Sequence, residues 1–168
     1  MLKKFNGLTF GIPKEIMAGE RRVAATPETV SKLVAGGAKV LVEEGAGLGA
    51  YMTDKDYREA GAIIQTDPAE LYREANIIMK VKEPQYNKEK GKHEVEMMHK
   101  GQVLVTFIHP AAPANHQMVK DLAGKGVISI TLDGIPRISR AQAMDALTSM
   151  STVAGYKSVL MAADRLAK

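Results

Sequence analysis

Short β-branched apolar runs alternate along this chain with segments that open on helix-capping residues, and this rhythm narrows the possible folds more than any other feature. Apolar runs at 8–12, 39–43, 62–65, 77–80, 102–106 and 127–131 have the length and residue types of strands. Between them lie helical segments at 27–35, 53–60, 68–75, 94–99 and 116–123. Thr26 precedes Pro27, Thr53 heads the second helix, Asp67 precedes Pro68, and Gly36-Gly37 closes the first helix. Strands that alternate with helices cannot pair through tight hairpins, so they form a mostly parallel sheet with helices on both faces.

The expected architecture is therefore a three-layer α/β domain of the flavodoxin- or Rossmann-like kind over residues 1–140. A connecting helix follows over 141–168, rich in alanine, leucine and methionine and lacking proline. Gly155 is expected to break or bend it. The 168 residues are 45% hydrophobic and 25% charged, a mixture able to close one core without cross-links, and the chain has no cysteine. No apolar run approaches the roughly 20 residues of a membrane span, and the first residues lack the apolar core of a signal peptide. A net charge of +4 raises the question of nucleic acid, but the basic residues are interleaved with acidic ones. That pattern, as in Lys88–Glu94, reads as a solvated loop, and no aromatic cluster accompanies it, so no nucleic-acid partner is expected. The four histidines match no metal-ligand spacing, so no metal is expected.

The densest polar run, Gly134 to Tyr156, follows the last strand, where open α/β sheets place binding crevices. Pro136 disfavours helix at Ile135, so a helix is expected to start near Ser139 or Ala141. On a continuous helix Gln142, Asp145 and Ser149 share one face, approached by Arg137. That face suits an amide or a diphosphate; taken alone, the plainer reading is an N-cap and a solvated first turn. Gly45-Ala-Gly-Leu-Gly-Ala50 fits a dinucleotide fingerprint, with Asp67 downstream. The helix after it starts late and is short, which favours a structural turn.

The run Pro136-Arg-Ile-Ser-Arg-Ala-Gln142 with Met144-Asp-Ala-Leu147 resembles the loop named for its arginine, glutamine and aspartate in proton-translocating nicotinamide nucleotide transhydrogenases. Arg137, Gln142 and Asp145 fall on the three named positions, and Thr148 stands where serine is usual. Gly11-Ile-Pro-Lys-Glu-Ile16 and Glu20-Arg-Arg-Val-Ala-Ala-Thr-Pro27 resemble the opening signature shared by alanine dehydrogenases and transhydrogenases. The resemblance implies that Arg137, Gln142 and Asp145 act at a bound NAD(H) nicotinamide, and that Arg137, Ile138, Ser139, Arg140, Gln142, Asp145 and Thr148 contact the coenzyme. It also implies a separate Rossmann domain holding most of that coenzyme, with NADP(H) on a partner subunit. Membrane-spanning subunits that move protons, a homodimer, and a cytoplasmic position peripheral to the membrane are implied in the same way.

Other segments, Lys80-Val-Lys-Glu-Pro84 and Thr106-Phe-Ile-His109, look more like alanine dehydrogenase. There the residues matching Arg22, Lys82 and His109 bind and protonate pyruvate. An arginine fork can hold a carboxylate, and lysine or histidine can polarise and protonate a carbonyl oxygen. Each also has a plain structural reading, such as a lone histidine satisfying backbone groups before Pro110. The longer contiguous match favours the transhydrogenase branch, with the chain inactive by itself. The alternatives are the alanine dehydrogenase N-terminal domain and a non-catalytic docking or dimerisation module.

Overall fold

A computed structural model describes residues 4–166. Their contacts divide between two compact units, one ending at Thr131 and the other starting at Leu132. The strands are β1 (Thr9–Ile12), β2 (Lys39–Glu43), β3 (Ile63–Gln65), β4 (Ile77–Met79), β5 (Tyr86–Asn87), β6 (Lys92–His93), β7 (Val103–Thr106) and β8 (Ile128–Thr131). Six of them form one parallel sheet in the order β3-β2-β1-β4-β7-β8. The order reverses between β1 and β4, so the switch point of this doubly wound sheet lies where those strands end.

Register decides which side chains meet which layer. Val40, Phe10, Ile77, Val103 and Ile128 lie in one row across the sheet, and Leu41, Gly11, Ile78, Leu104 and Ser129 in the next. Alternate residues of a strand face opposite sides, so the rows belong to opposite faces. The first face packs on Val30 of α1 (Pro27–Ala35) and Tyr57 of α2 (Asp54–Glu59). The second packs on Leu71 and Tyr72 of α3 (Pro68–Glu74), Val95 of α4 (Glu94–Met97), and Met118 and Leu122 of α5 (His116–Lys125). Gly11 makes the α3 contact possible, because a Cβ there would lie 2.8 Å from Ala75 and Leu71.

The caps fall where the sequence places them. Thr26 and Asp67 accept backbone N–H bonds at the starts of α1 and α3, and Thr53 with Asp56 closes a capping box on α2. The stretch expected to be a solvated loop is instead partly a hairpin, β5 pairing with β6. The Asn87 side chain accepts from Lys90 N–H at 3.0 Å and tightens its turn, while Glu94 just beyond it is buried.

In the second unit, residues 139–144 form a 3-10 helix and α6 (Ala146–Arg165) follows. The expected continuous helix from Ser139 or Ala141 is therefore absent: Asp145 caps α6 instead of sitting inside a helix. Its carboxylate accepts from Leu147 N–H at 2.9 Å and from the Thr148 hydroxyl at 2.7 Å, a local alternative to helical hydrogen bonding that restarts the helix. α6 then continues through Gly155 without the expected break, the glycine penalty of about 1 kcal/mol being too small to interrupt so long a helix. Residues 167–168 of the expected connecting helix lie outside those described. No described helix is long and apolar enough to cross a membrane.

Candidate functional site

The switch point brings together the segments leaving β1, β4 and β7, and a buried ionic cluster lies beneath it. Lys80, 2% exposed, places its ammonium 2.8 Å from Glu94 Oε1 and 3.4 Å from Glu15 Oε2. The Tyr72 hydroxyl donates to the same Glu94 oxygen at 2.7 Å, and Glu94 Oε2 accepts from Gln85 N–H at 2.7 Å. Glu15 accepts from Val81 N–H at 2.5 Å and Lys82 N–H at 3.3 Å. Two buried carboxylates thus grip both ends of the 80–85 turn.

Charge in this cluster is unevenly matched. Burial raises the Glu15 carboxyl above its ordinary range against the pull of Lys80, and it raises the Glu43 carboxyl as well. Burial alone would drag Lys80 down, but Glu94 and Glu15 outweigh it and hold the ammonium charged. Burial, then the Glu94 charge, pushes the Tyr72 phenol well up.

The three positions of the keto-acid pattern are distributed around this point. Arg22 lines a cavity of about 260 Å³ with Lys14, Glu15 and Glu20. Its guanidinium is gripped by Glu20, with Nε to Oε1 at 2.7 Å and a terminal nitrogen to Oε2 at 2.5 Å. The Arg22 hydrogen bond depresses the Glu20 carboxyl to about 2. Lys82 is half-buried, and its carbonyl accepts from the Thr106 hydroxyl at 2.9 Å. His109 is exposed, with left-handed backbone (φ 48°), and its ring stacks on Phe107 at 5.9 Å. Its Nδ1 lies 3.1 Å from Glu83 Oε2. Glu83 thus links the Lys82 turn to His109, a role that charge patterning along the sequence does not signal.

The glycine run after β2 is a structural turn. A Cβ at Gly47 would strike Tyr57 and the Met52 carbonyl, and one at Gly49 the Arg21 backbone. Arg21 also donates to the Gly49 carbonyl and to the Tyr51 hydroxyl, fastening the same turn.

The second unit carries its own cavity, of about 540 Å³. Arg137, Ile138, Ser139, Gln142, Asp145 and Thr148 all line it, six of the seven positions expected to contact a coenzyme; of the face expected on a continuous helix, Gln142 and Asp145 line it with Arg137, and Ser149 does not. Arg140 is exposed and not part of this lining. Ser151 and Thr152 join it; they lie three and four residues after Thr148, a helical spacing that places all three together. The Thr148 hydroxyl bond lowers the Asp145 carboxyl, helped by Leu147 N–H and the Arg137 charge. Threonine at 148 therefore supplies the hydroxyl that serine would. The cavity offers a guanidinium, a carboxamide, a carboxylate and aliphatic hydroxyls, a donor and acceptor set suited to a carboxamide and a ribose.

Residues 11–154 match the family described as the alanine dehydrogenase/PNT N-terminal domain. The chain belongs to this family. It is 40% identical over 156 residues to NAD(P) transhydrogenase subunit alpha of Haemophilus influenzae, covering 93% of this chain and 28% of that protein. It is 41% identical over 162 residues to alanine dehydrogenase of Bacillus subtilis, covering 96% of this chain and 39% of that enzyme. Its fold matches the crystal structure of transhydrogenase from Sinorhizobium meliloti with a TM-score of 0.83 and 35% identity, over 96% of this chain and 45% of that one. This member of the alanine dehydrogenase/PNT family thus spans less than half the length of the curated relatives it matches.

Proposed function

We propose that the chain is the N-terminal portion of the NAD(H)-binding component of a nicotinamide nucleotide transhydrogenase. The observation that carries this reading is the convergence of Arg137, Gln142, Asp145 and Thr148 on one cavity. Bound NADH would supply a hydride for NADP⁺ held on a partner subunit, a transfer that needs close, aligned approach rather than an acid or base. Gln142 and Arg137 offer N–H donors, Asp145 and the hydroxyls offer acceptors, and these groups fix a ring pose. The Thr148 bond fixes the Asp145 carboxylate beforehand.

Proton translocation belongs in this reading to membrane-spanning partners, which leaves the present chain peripheral to a membrane on the cytoplasmic side, as a homodimer, and inactive when isolated. The test is Gln142→Asn in the assembled enzyme. Hydride transfer should fall far more than NADH affinity; an unchanged transfer rate rejects the role, and absence of NADH affinity in the assembly leaves only a docking module.

A second reading, reductive amination of an α-keto acid as in alanine dehydrogenase, is favoured by one observation: His109, just past β7, has its Nδ1 3.1 Å from the carboxylate of Glu83, the residue next to Lys82. Lys82 and His109 would polarise and protonate the keto oxygen. Arg22 would hold the substrate carboxylate only by sharing its guanidinium with Glu20. Pyruvate- and ammonia-dependent NADH oxidation decides between the two readings.

A further inference from the structure

We propose that Glu83 is a positioning residue for His109, holding the imidazole in one tautomer and one orientation beside the switch point. The inference deepens the second reading and rests on it. An ionised carboxylate can only accept, so the 3.1 Å contact assigns the proton to Nδ1 and leaves Nε2 as the nitrogen that gains and gives up a proton. A proton passed to a keto oxygen would leave Nε2 as the new O–H bond forms, while the Nδ1–H bond to Glu83 stays intact.

Both partners are held independently of each other. On the Glu83 side, Glu15 takes the N–H groups of Val81 and Lys82, Glu94 takes that of Gln85, and Thr106 donates to the Lys82 carbonyl. The Glu83 side chain is itself only 13% exposed, unlike an ordinary surface partner. On the histidine side, Asn115 Nδ2 donates to the Ile108 carbonyl at 3.0 Å and the His109 carbonyl at 3.4 Å, and Phe107 stacks on the ring. His109 keeps a left-handed backbone that L residues rarely adopt, a conformation that persists where its surroundings over-determine it. A surface ion pair formed for stability alone would contribute little and would need none of this support.

Long-range ¹H–¹⁵N spectra of the 168-residue chain, recorded at a pH where the ring is neutral, read the tautomer directly. His109 should show a protonated Nδ1 and an unprotonated Nε2. Glu83→Ala should lose that preference and Glu83→Asp should keep most of it. A wild-type ring protonated mainly on Nε2, or a Glu83→Ala spectrum unchanged at His109, overturns the proposal; the wild-type spectrum decides even if the alanine variant does not fold. Pyruvate-dependent NADH oxidation by the holoenzyme is scored separately. If it is present, Glu83→Ala should lower kcat by roughly 10-fold with little change in KM, a part of the roughly 100- to 10,000-fold that general acid catalysis contributes. If it is absent while the Nδ1 tautomer holds, the keto-acid reading fails and the Glu83–His109 relationship stands.

Discussion

Lys80 and Glu94 meet at 2.8 Å inside the protein, one at the end of β4 and the other opening α4, both almost wholly withdrawn from water. Such a pair contributes little by its attraction alone, since both charges were taken out of water to form it. Its consequence is positional: it ties the strand end to the helix that follows the hairpin, and Glu94 reaches onward to Tyr72 and Gln85.

Removing one partner should therefore be far more damaging than forming the pair is stabilising. Lys80→Met strands Glu94 and Glu15 and should destabilise the first unit by about 3–5 kcal/mol. Tyr72→Phe, which removes one hydrogen bond to a charged group, should cost about 1.5–3 kcal/mol. Urea denaturation followed by circular dichroism measures both; equal, small losses would contradict the cluster's proposed role.

The Glu20 carboxyl offers a pH test of the Arg22 contact. Its folded value of about 2 lies below the ordinary 4.5, so its contribution to stability is present above 4.5 and lost as pH falls through about 2. Arg22→Met should move the Glu20 titration, followed by carboxyl ¹³C NMR, up toward 4.5. The contribution of Glu15 has the opposite sign: its raised folded value means stability fully present below 4.5 and lost as pH rises through the folded value.

Much of the sheet was readable from periodicity and caps, because Thr26, Thr53 and Asp67 act within one turn of their own backbone. Contacts between distant segments were not. Glu94 meets Tyr72 across 22 residues of chain, and Glu15 meets Val81 across 66. Nothing local distinguishes Glu94 from its solvated neighbours in a charged run. Nor does strand composition reveal cover: Ile128 and Ile130 carry the same β-branched signal as Val40 and Val42, yet are 56% and 53% exposed. At the second cavity the residue set was legible and the backbone was not, since Asp145 reads equally as a helix-face residue or as a cap.

Two glycines should respond in opposite directions to alanine. At Gly11 the new Cβ would press on Ala75, Leu71 and Ile78, so Gly11→Ala should destabilise the first unit by roughly 1–3 kcal/mol through overpacking. At Gly155 nothing lies within 4 Å of the added carbon, and Gly155→Ala should strengthen α6 by about 1 kcal/mol. Amide hydrogen exchange resolves the two units separately; a stabilised Gly11→Ala variant would refute the close approach of α3 to β1.

Thr148 and Asp145 allow the cavity of the second unit to be probed without a ligand. The Thr148 hydroxyl is the leading cause of the lowered Asp145 carboxyl, ahead of the Leu147 N–H and Arg137 contributions. The cap it supports should therefore be intact above the ordinary value of 3.8 and weaken as pH falls through the lower folded value. Thr148→Val removes the donor while keeping the shape, so the Asp145 titration should rise; Thr148→Ser restores the hydroxyl and should return it. If the valine variant titrates like wild type, the hydroxyl does not set the carboxylate, and a threonine at this position could not substitute for serine in the way the geometry requires.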